Sequence, residues 1–204
     1  MVADGGNMME RRSFNSILTG LGLSLGGGRI RAAAAATPVR IESFILRAND
    51  WVPNNPKLPV IVYRNALPIS GDDPAAIFES LFQRNGWPPQ WRNGVYPFHH
   101  YHTMGHEVLG FYGGHARLML GGAGAREVEV RAGDIALLPA GTGHMNMDSS
   151  LDFAVVGAYP PGQDFDIVRQ APNGPQRARL ASLPFPASDP VMGTHGPTTR
   201  EWRY

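Results

Sequence analysis

The sequence predicts an all-β domain with one helix packed on it. Two observations carry that prediction. Gly (25) and Pro (18) make up about 21% of the 204 residues, a share that suits a turn-rich β fold better than a helical bundle. From residue 106 onward, short segments rich in Val, Leu and Phe alternate with glycine-containing turns. The length corresponds to one domain. With 43% apolar and 17% charged residues, the chain can bury a core and is not compositionally disordered.

Residues 1–36 stand apart from this pattern. Arg11-Arg12-Ser13-Phe14 precedes a mildly apolar run over 17–28, and an alanine run, 32–36, follows. A positive start, an apolar middle and small residues at Ala34 and Ala36 form the layout of an export signal. The paired arginines resemble a twin-arginine leader, so the expectation is export to the periplasm. Glycines dilute the run, and Arg29 and Arg31 cut it off before the length a spanning helix needs. No stable membrane span is expected. Residues 37–204 are then a single domain.

Within that domain, residues 40–47 and 59–63 read as short strands separated by the turn at 52–56. Asp72-Asp73-Pro74 opens a helix that closes at Asn85-Gly86. Its apolar Ile77, Phe78, Leu81 and Phe82 share one face, which predicts packing against a sheet. Residues 106–112, 115–120, 126–130, 134–138 and 151–159 read as strands. From Pro160 to the C-terminus Pro and Gly recur, with a short helix near 176–183, and this tail is expected to wrap the domain.

Several function classes are excluded early. Eighteen basic groups balance seventeen acidic ones, so no basic excess marks a nucleic-acid binder. Without cysteine there is no disulfide, thiolate metal site or cysteine nucleophile. No phosphate loop, dinucleotide fingerprint or serine-hydrolase arrangement is present.

The chemistry concentrates in histidine. Six of seven histidines lie from residue 99 to residue 144. In Phe98-His99-His100-Tyr101-His102, strand alternation places His100 and His102 on one face, about 6.6–6.8 Å apart along the strand, close enough for both imidazoles to reach one ion. After a turn, Glu107, Leu109 and Phe111 share a face, and of these only Glu107 can ligate. His144 follows the tight turn at 139–143, on a strand that could return beside the first pair. His106 is expected to face away from Glu107, as a structural group or one supporting a ligand, and the same parity disfavours His99. Asp148 is in phase with His144 and could orient a ligand. Phe98 and Phe111 are expected in the pocket wall. Trp87, Trp91 and Arg92 could cap the mouth.

These residues resemble the cupin superfamily. Its first motif, G-x5-H-x-H-x4-E-x6-G, is matched by Gly94, His100, His102, Glu107 and Gly114, over 94–114. Its second, G-x5-P-x-G-x2-H-x3-N, is matched by Gly133, Pro139, Gly141 and His144 over 133–148, with Asp148 in place of the final Asn. The phrases at 51–56 and 85–94 look like those of bacterial single-domain cupins with no assigned substrate. The resemblance implies a jelly-roll β-barrel that holds a metal through His100, His102, Glu107 and His144. Three imidazoles and a carboxylate suit Fe, Mn, Ni, Co or Zn and not Ca. It further implies a small-molecule substrate and a homodimer. The expected activity is a dioxygenase-like oxidoreductase on a small organic substrate. A metal-dependent isomerase or lyase on a small acid or sugar, or a non-catalytic binding protein, are the alternatives.

Overall fold

Alternation of apolar side chains along the strands determines the architecture. The computed structural model describes residues 38–202; the leader assignment at 1–36 lies outside the described residues. The chain runs β1 (Arg40–Phe44), β2 (Val60–Arg64), α1 (Pro74–Arg84), β3 (Pro89–Asn93), β4 (Glu107–Gly113), β5 (His115–Leu120), β6 (Arg126–Arg131), β7 (Ile135–Leu138), β8 (His144–Ser149), β9 (Ala154–Ala158), α2 (Gly174–Ser182) and α3 (Pro197–Glu201). Two antiparallel sheets result, in the orders β1-β2-β7-β4-β9-β3 and β6-β5-β8. The fold is mostly β with few helices, as expected. A closed barrel is not seen among the described residues: strand pairing stops at β1 and β3 in one sheet and at β6 and β8 in the other.

The sheets pack face to face. Val60, Val62, Leu109, Ala136, Leu138 and Val155 from the larger sheet meet Leu118, Leu120, Val128 and Val130 from the smaller one. The intervening residues of the same strands, Ile61, Tyr63, Val108, Ile135, Leu137 and Val156, point the other way, onto Phe78, Leu81 and Phe82 of α1. Strands buried on both faces read as nearly continuous apolar runs. Gly110 allows the helix its approach, since a Cβ there would lie 2.5 Å from the Phe78 ring. Phe78 is wholly buried, so truncating it to Ala costs about 3–5 kcal/mol.

The first residue of β3 is a proline, which is tolerated because β3 is an edge strand. Arg92 of β3 reaches out to Asp73 (2.9 Å) and Glu79 (2.6 Å) and clamps the edge to α1. Asp73, at the N-cap, therefore gives its carboxylate to Arg92 and makes no side-chain cap bond. Asn173 and Gln176 form a reciprocal capping box on α2.

The tail is fastened by one buried carboxylate. Asp189 accepts from the Tyr63 hydroxyl (2.5 Å), from the Thr198 hydroxyl (2.7 Å) and amide (3.0 Å), and from the amides of Val191 and Met192. Trp202, also buried, donates its indole N–H to the Pro59 carbonyl at 3.0 Å. Among the described residues no helix is long and apolar enough to cross a membrane.

Candidate metal centre

Two chain segments meet at one end of the gap between the sheets. The His100 amide donates to the His144 carbonyl (3.2 Å) and the His144 amide to the His100 carbonyl (2.9 Å), which sets the two residues side by side. Tyr101 points the opposite way, buried, with its hydroxyl on the Gln170 carbonyl at 2.8 Å. His102 therefore returns to the His100 side, as alternation requires. The imidazole donor atoms of His100, His102 and His144 all lie within 4.8 Å of one another, and all three residues are buried.

Each ring is held in the same tautomer. Nδ1 of His100 faces the Phe98 carbonyl (3.1 Å), Nδ1 of His144 faces the Thr142 carbonyl (3.0 Å), and Nδ1 of His102 faces the Asp166 carbonyl. A carbonyl only accepts, so each Nδ1 carries the proton and each Nε2 of a neutral ring keeps its lone pair. His106 is wired in reverse: its Nδ1 accepts from the Ala140 amide at 3.0 Å. It is buried against the Trp202 ring, outside the cluster, as strand parity predicts.

Glu107 completes the arrangement. Its Oε2 lies 3.4 Å from Nε2 of His102 and 3.3 Å from Nε2 of His144. Its Oε1 accepts from the Tyr159 hydroxyl, whose oxygen in turn accepts from Trp91 Nε1 at 3.1 Å. Burial lowers the pKa of His100 to about 2 and of His144 to about 4, so both are neutral near pH 7. Burial alone would raise the Glu107 carboxyl, but His102 and the Tyr159 hydroxyl outweigh it and hold it below its ordinary value. Burial likewise opposes charge on His102, yet the Glu107 carboxylate beside it prevails and raises that pKa.

The donors fit a divalent ion. His102 Nε2 and Glu107 Oε2 are buried without a hydrogen-bond partner, and each such group costs about 1–3 kcal/mol if nothing satisfies it. Three neutral nitrogens and one carboxylate match a borderline transition ion. The His102, His144 and Glu107 atoms face one another, whereas His100 approaches through the two other rings, at 5.2 Å from His102 and 4.1 Å from His144 between centroids.

The turn that delivers His144 is itself anchored. A Cβ on Gly143 would lie 2.5 Å from the Val52 side chain. The Gly143 amide donates to Asn54 Oδ1 at 3.0 Å, and Asn54 Nδ2 donates to the Gly121 carbonyl at 2.9 Å. Asn54 adopts a left-handed φ of 49°, a conformation asparagine tolerates better than most residues. On the other side, the Asp166 carboxylate accepts from the Thr103 amide (2.5 Å) and hydroxyl (2.6 Å), fixing the turn after His102.

A cavity of about 120 Å³ opens beside the histidines. Trp91 lines it, as the sequence suggests, with its indole laid over Gly157, where a Cβ would sit 2.0 Å from the ring. Several other expectations are corrected. Arg92 points outward to α1 and does not cap the mouth. Trp87 is wholly buried beneath α1, with its N–H on the Ser188 carbonyl at 3.0 Å. Phe111 shares the Glu107 face but lies in the core, because four residues along a strand carry it about 13 Å away; Leu109 forms the wall instead. Phe98 stacks on Tyr96 at 4.9 Å and under the Arg169 guanidinium; its carbonyl, not its ring, serves the site. Asp148 is exposed opposite Arg117 at the far end of β8, too distant to orient His144.

Tyr159, Asp166, Asn54 and Phe165 were not legible as site residues. Only Tyr159 carried a usable signal: it ends the 151–159 segment in phase with Val155, on the inward face.

No protein-family model matches the chain. It is 37% identical over 163 residues to the uncharacterized protein YjlB of Bacillus subtilis (strain 168), an alignment that covers 79% of this chain and 96% of that protein. Among solved structures, Streptomyces albus HEPD with 2-hydroxyethylphosphonate and Fe(II) bound matches at 10% identity with a TM-score of 0.25. That alignment covers 65% of this chain and 22% of the other, so the chain spans about a fifth of its length.

Proposed function

The chain belongs to the same family as Bacillus subtilis YjlB, and from its own histidine cluster we propose that it is a metal-dependent cupin acting as an oxidoreductase of dioxygenase type on a small organic substrate. One observation carries the metal reading. Three buried imidazoles each spend Nδ1 on a backbone carbonyl and turn Nε2 toward a common point beside the Glu107 carboxylate. Support of a histidine through its second nitrogen fixes the tautomer and raises ligand basicity.

In this reading His100, His102, His144 and Glu107 hold the ion. When bound, a divalent transition ion supplies Lewis acidity and, if redox-active, electron transfer at positions the protein leaves open. The chain's own part is arrangement. Tyr159 keeps its proton, since burial and then the Glu107 charge both raise its pKa, and by donating to Oε1 it leaves Oε2 toward the histidines. Trp91, Leu109 and Phe165 give the cavity beside the histidines an apolar wall.

Protein stripped with a chelator and reloaded separately with Fe, Mn, Ni, Co or Zn tests the proposal. One ion per chain is expected, and at about a hundred times its dissociation constant it raises stability by about 2.7 kcal/mol. His144→Ala removes most of that increment, whereas His99→Ala keeps it. Equal responses from these two variants would overturn the ligand assignment. Oxygen uptake that requires both a redox-active ion and an organic substrate supports the oxidoreductase. Turnover without oxygen by the zinc form would favour an isomerase or lyase instead.

A further inference from the structure

The cavity beside the histidines restricts what can bind there. Its volume is about 120 Å³, somewhat below the roughly 150 Å³ of an engineered cavity that accepts benzene. The enclosed space therefore holds at most one small ring or a branched fragment of that size, the rest of a longer molecule lying toward the opening. Its walls are Trp91, Val95, Tyr96, Leu109, Tyr159 and Phe165. Tyr159 and Phe165 stack on each other at 5.8 Å, and Phe165 meets the His102 ring edge-on at 6.2 Å. Flat aromatic surfaces of this kind favour a flat partner.

Charge is confined to one end. Among the described residues no lysine or arginine lines the cavity, and the only acid is Glu107, which Tyr159 and the histidines already engage. The arginines that come near in sequence are committed elsewhere. Arg92, next to Trp91, pairs with Asp73 and Glu79. Arg169 lies 4.1 Å over the Phe98 ring. An ion held by three neutral imidazoles and one carboxylate keeps net positive charge, so it accepts neutral or anionic donor atoms. A second anionic group placed elsewhere in the cavity would meet mainly apolar walls, with Asn93 and the Tyr96 hydroxyl as polar neighbours but no cation to pair with, and burying an unpaired charge there is unfavourable.

We propose that this site takes a ring-sized apolar molecule whose polar donor atoms are gathered at one end, toward the histidines, with no anionic group at the other. The inference rests on the metal reading and narrows its substrate class: phosphorylated compounds and dicarboxylates, which would place a second charge away from the histidines, are disfavoured.

Two probes of matched heavy-atom count separate the possibilities. 4-Isopropylcatechol and 3,4-dihydroxybenzoate present the same vicinal hydroxyl pair and differ at the far end in isopropyl against carboxylate. Each is titrated calorimetrically into the zinc-loaded full chain without oxygen, with zinc-stripped protein as the control. The isopropyl compound is expected to bind at least tenfold more tightly. Tyr96→Arg, at a wall residue 42% exposed, should shrink or reverse that ratio by supplying the missing cation. If zinc binds and the carboxylate compound binds as well as the isopropyl one, or neither binds, the inference is overturned. An unchanged ratio in Tyr96→Arg also counts against it. If zinc itself fails to bind, the metal reading fails instead.

Discussion

Removing a single oxygen, in Tyr159→Phe, tests how the carboxylate is held. The ring and its stacking on Phe165 (5.8 Å, 24° between planes) survive the change. Two hydrogen bonds do not: the hydroxyl donates to Glu107 Oε1 and accepts from Trp91 Nε1 at 3.1 Å. Glu107 is 2% exposed, so water does not easily replace the donor. A buried partner left unsatisfied costs about 1–3 kcal/mol, more when charged. The carboxylate and the half-buried indole together give an expected loss of about 2–4 kcal/mol in the metal-free protein. At roughly 2–4 °C per kcal/mol for a domain of this size, the melting temperature falls by ~4–16 °C. Metal affinity falls as well, because an outer partner of a ligand is worth about 10–100-fold. Chelator-competition titration reads the affinity and urea unfolding reads the stability. Trp91→Phe, which spares the Tyr159–Glu107 bond, should lower stability but leave metal affinity within a few-fold of wild type. Wild-type affinity in Tyr159→Phe would refute the argument that this hydroxyl aims Glu107.

Other perturbations address the frame. Asp189→Ala strands the Tyr63 hydroxyl, the Thr198 amide and hydroxyl, and the amides of Val191 and Met192; a loss above about 3 kcal/mol in urea unfolding is expected, and a loss under 1 would show that the tail is not pinned there. Gly157→Ala puts a methyl 2.0 Å from the Trp91 indole, so Trp91 fluorescence should shift red as the ring is pushed toward solvent; an unchanged spectrum would refute the close packing. Arg92 holds Asp73 and Glu79 below their ordinary values of 3.8 and 4.5, first through its hydrogen bonds to them. Carboxylates depressed in the folded state contribute stability above their unfolded values and lose it as pH falls through the folded ones. Arg92→Ala should therefore flatten the decline in stability below about pH 4.5, an effect weakened by salt; parallel acid profiles for the two proteins would count against it.

How much of this was legible in the chain follows from the range of each signal. Alternation is local, and it correctly set His100 and His102 on one side, turned Tyr101 and His106 away, and marked the helix face that packs through Phe78 and Phe82. The same rule failed when extended along a strand. Phe111 and Asp148 are in phase with Glu107 and His144, but parity names a face and says nothing about depth, so one lies in the core and the other at the surface. The flank at 87–92 was misread for a similar reason: Trp87, Trp91 and Arg92 point under the helix, into the cavity and out to α1 respectively, because an edge strand with a register shift between Pro89 and Trp91 breaks the count.

Local pattern sufficed to pick out histidines that could meet a metal and to mark the domain as mostly β. How those side chains are supported came from long-range pairing. The Asp166 carbonyl behind His102 is 64 residues away, the Tyr159 hydroxyl on Glu107 is 52 away, and the Asn54 amide behind the His144 turn acts across 89. Backbone carbonyls and single polar side chains at such separations leave no periodic mark on the chain, because any residue supplies a carbonyl and strand pairing alone chooses which one arrives. The same pairing set the division into two sheets, since hydrophobic alternation specifies which faces are buried but not whether the edges join.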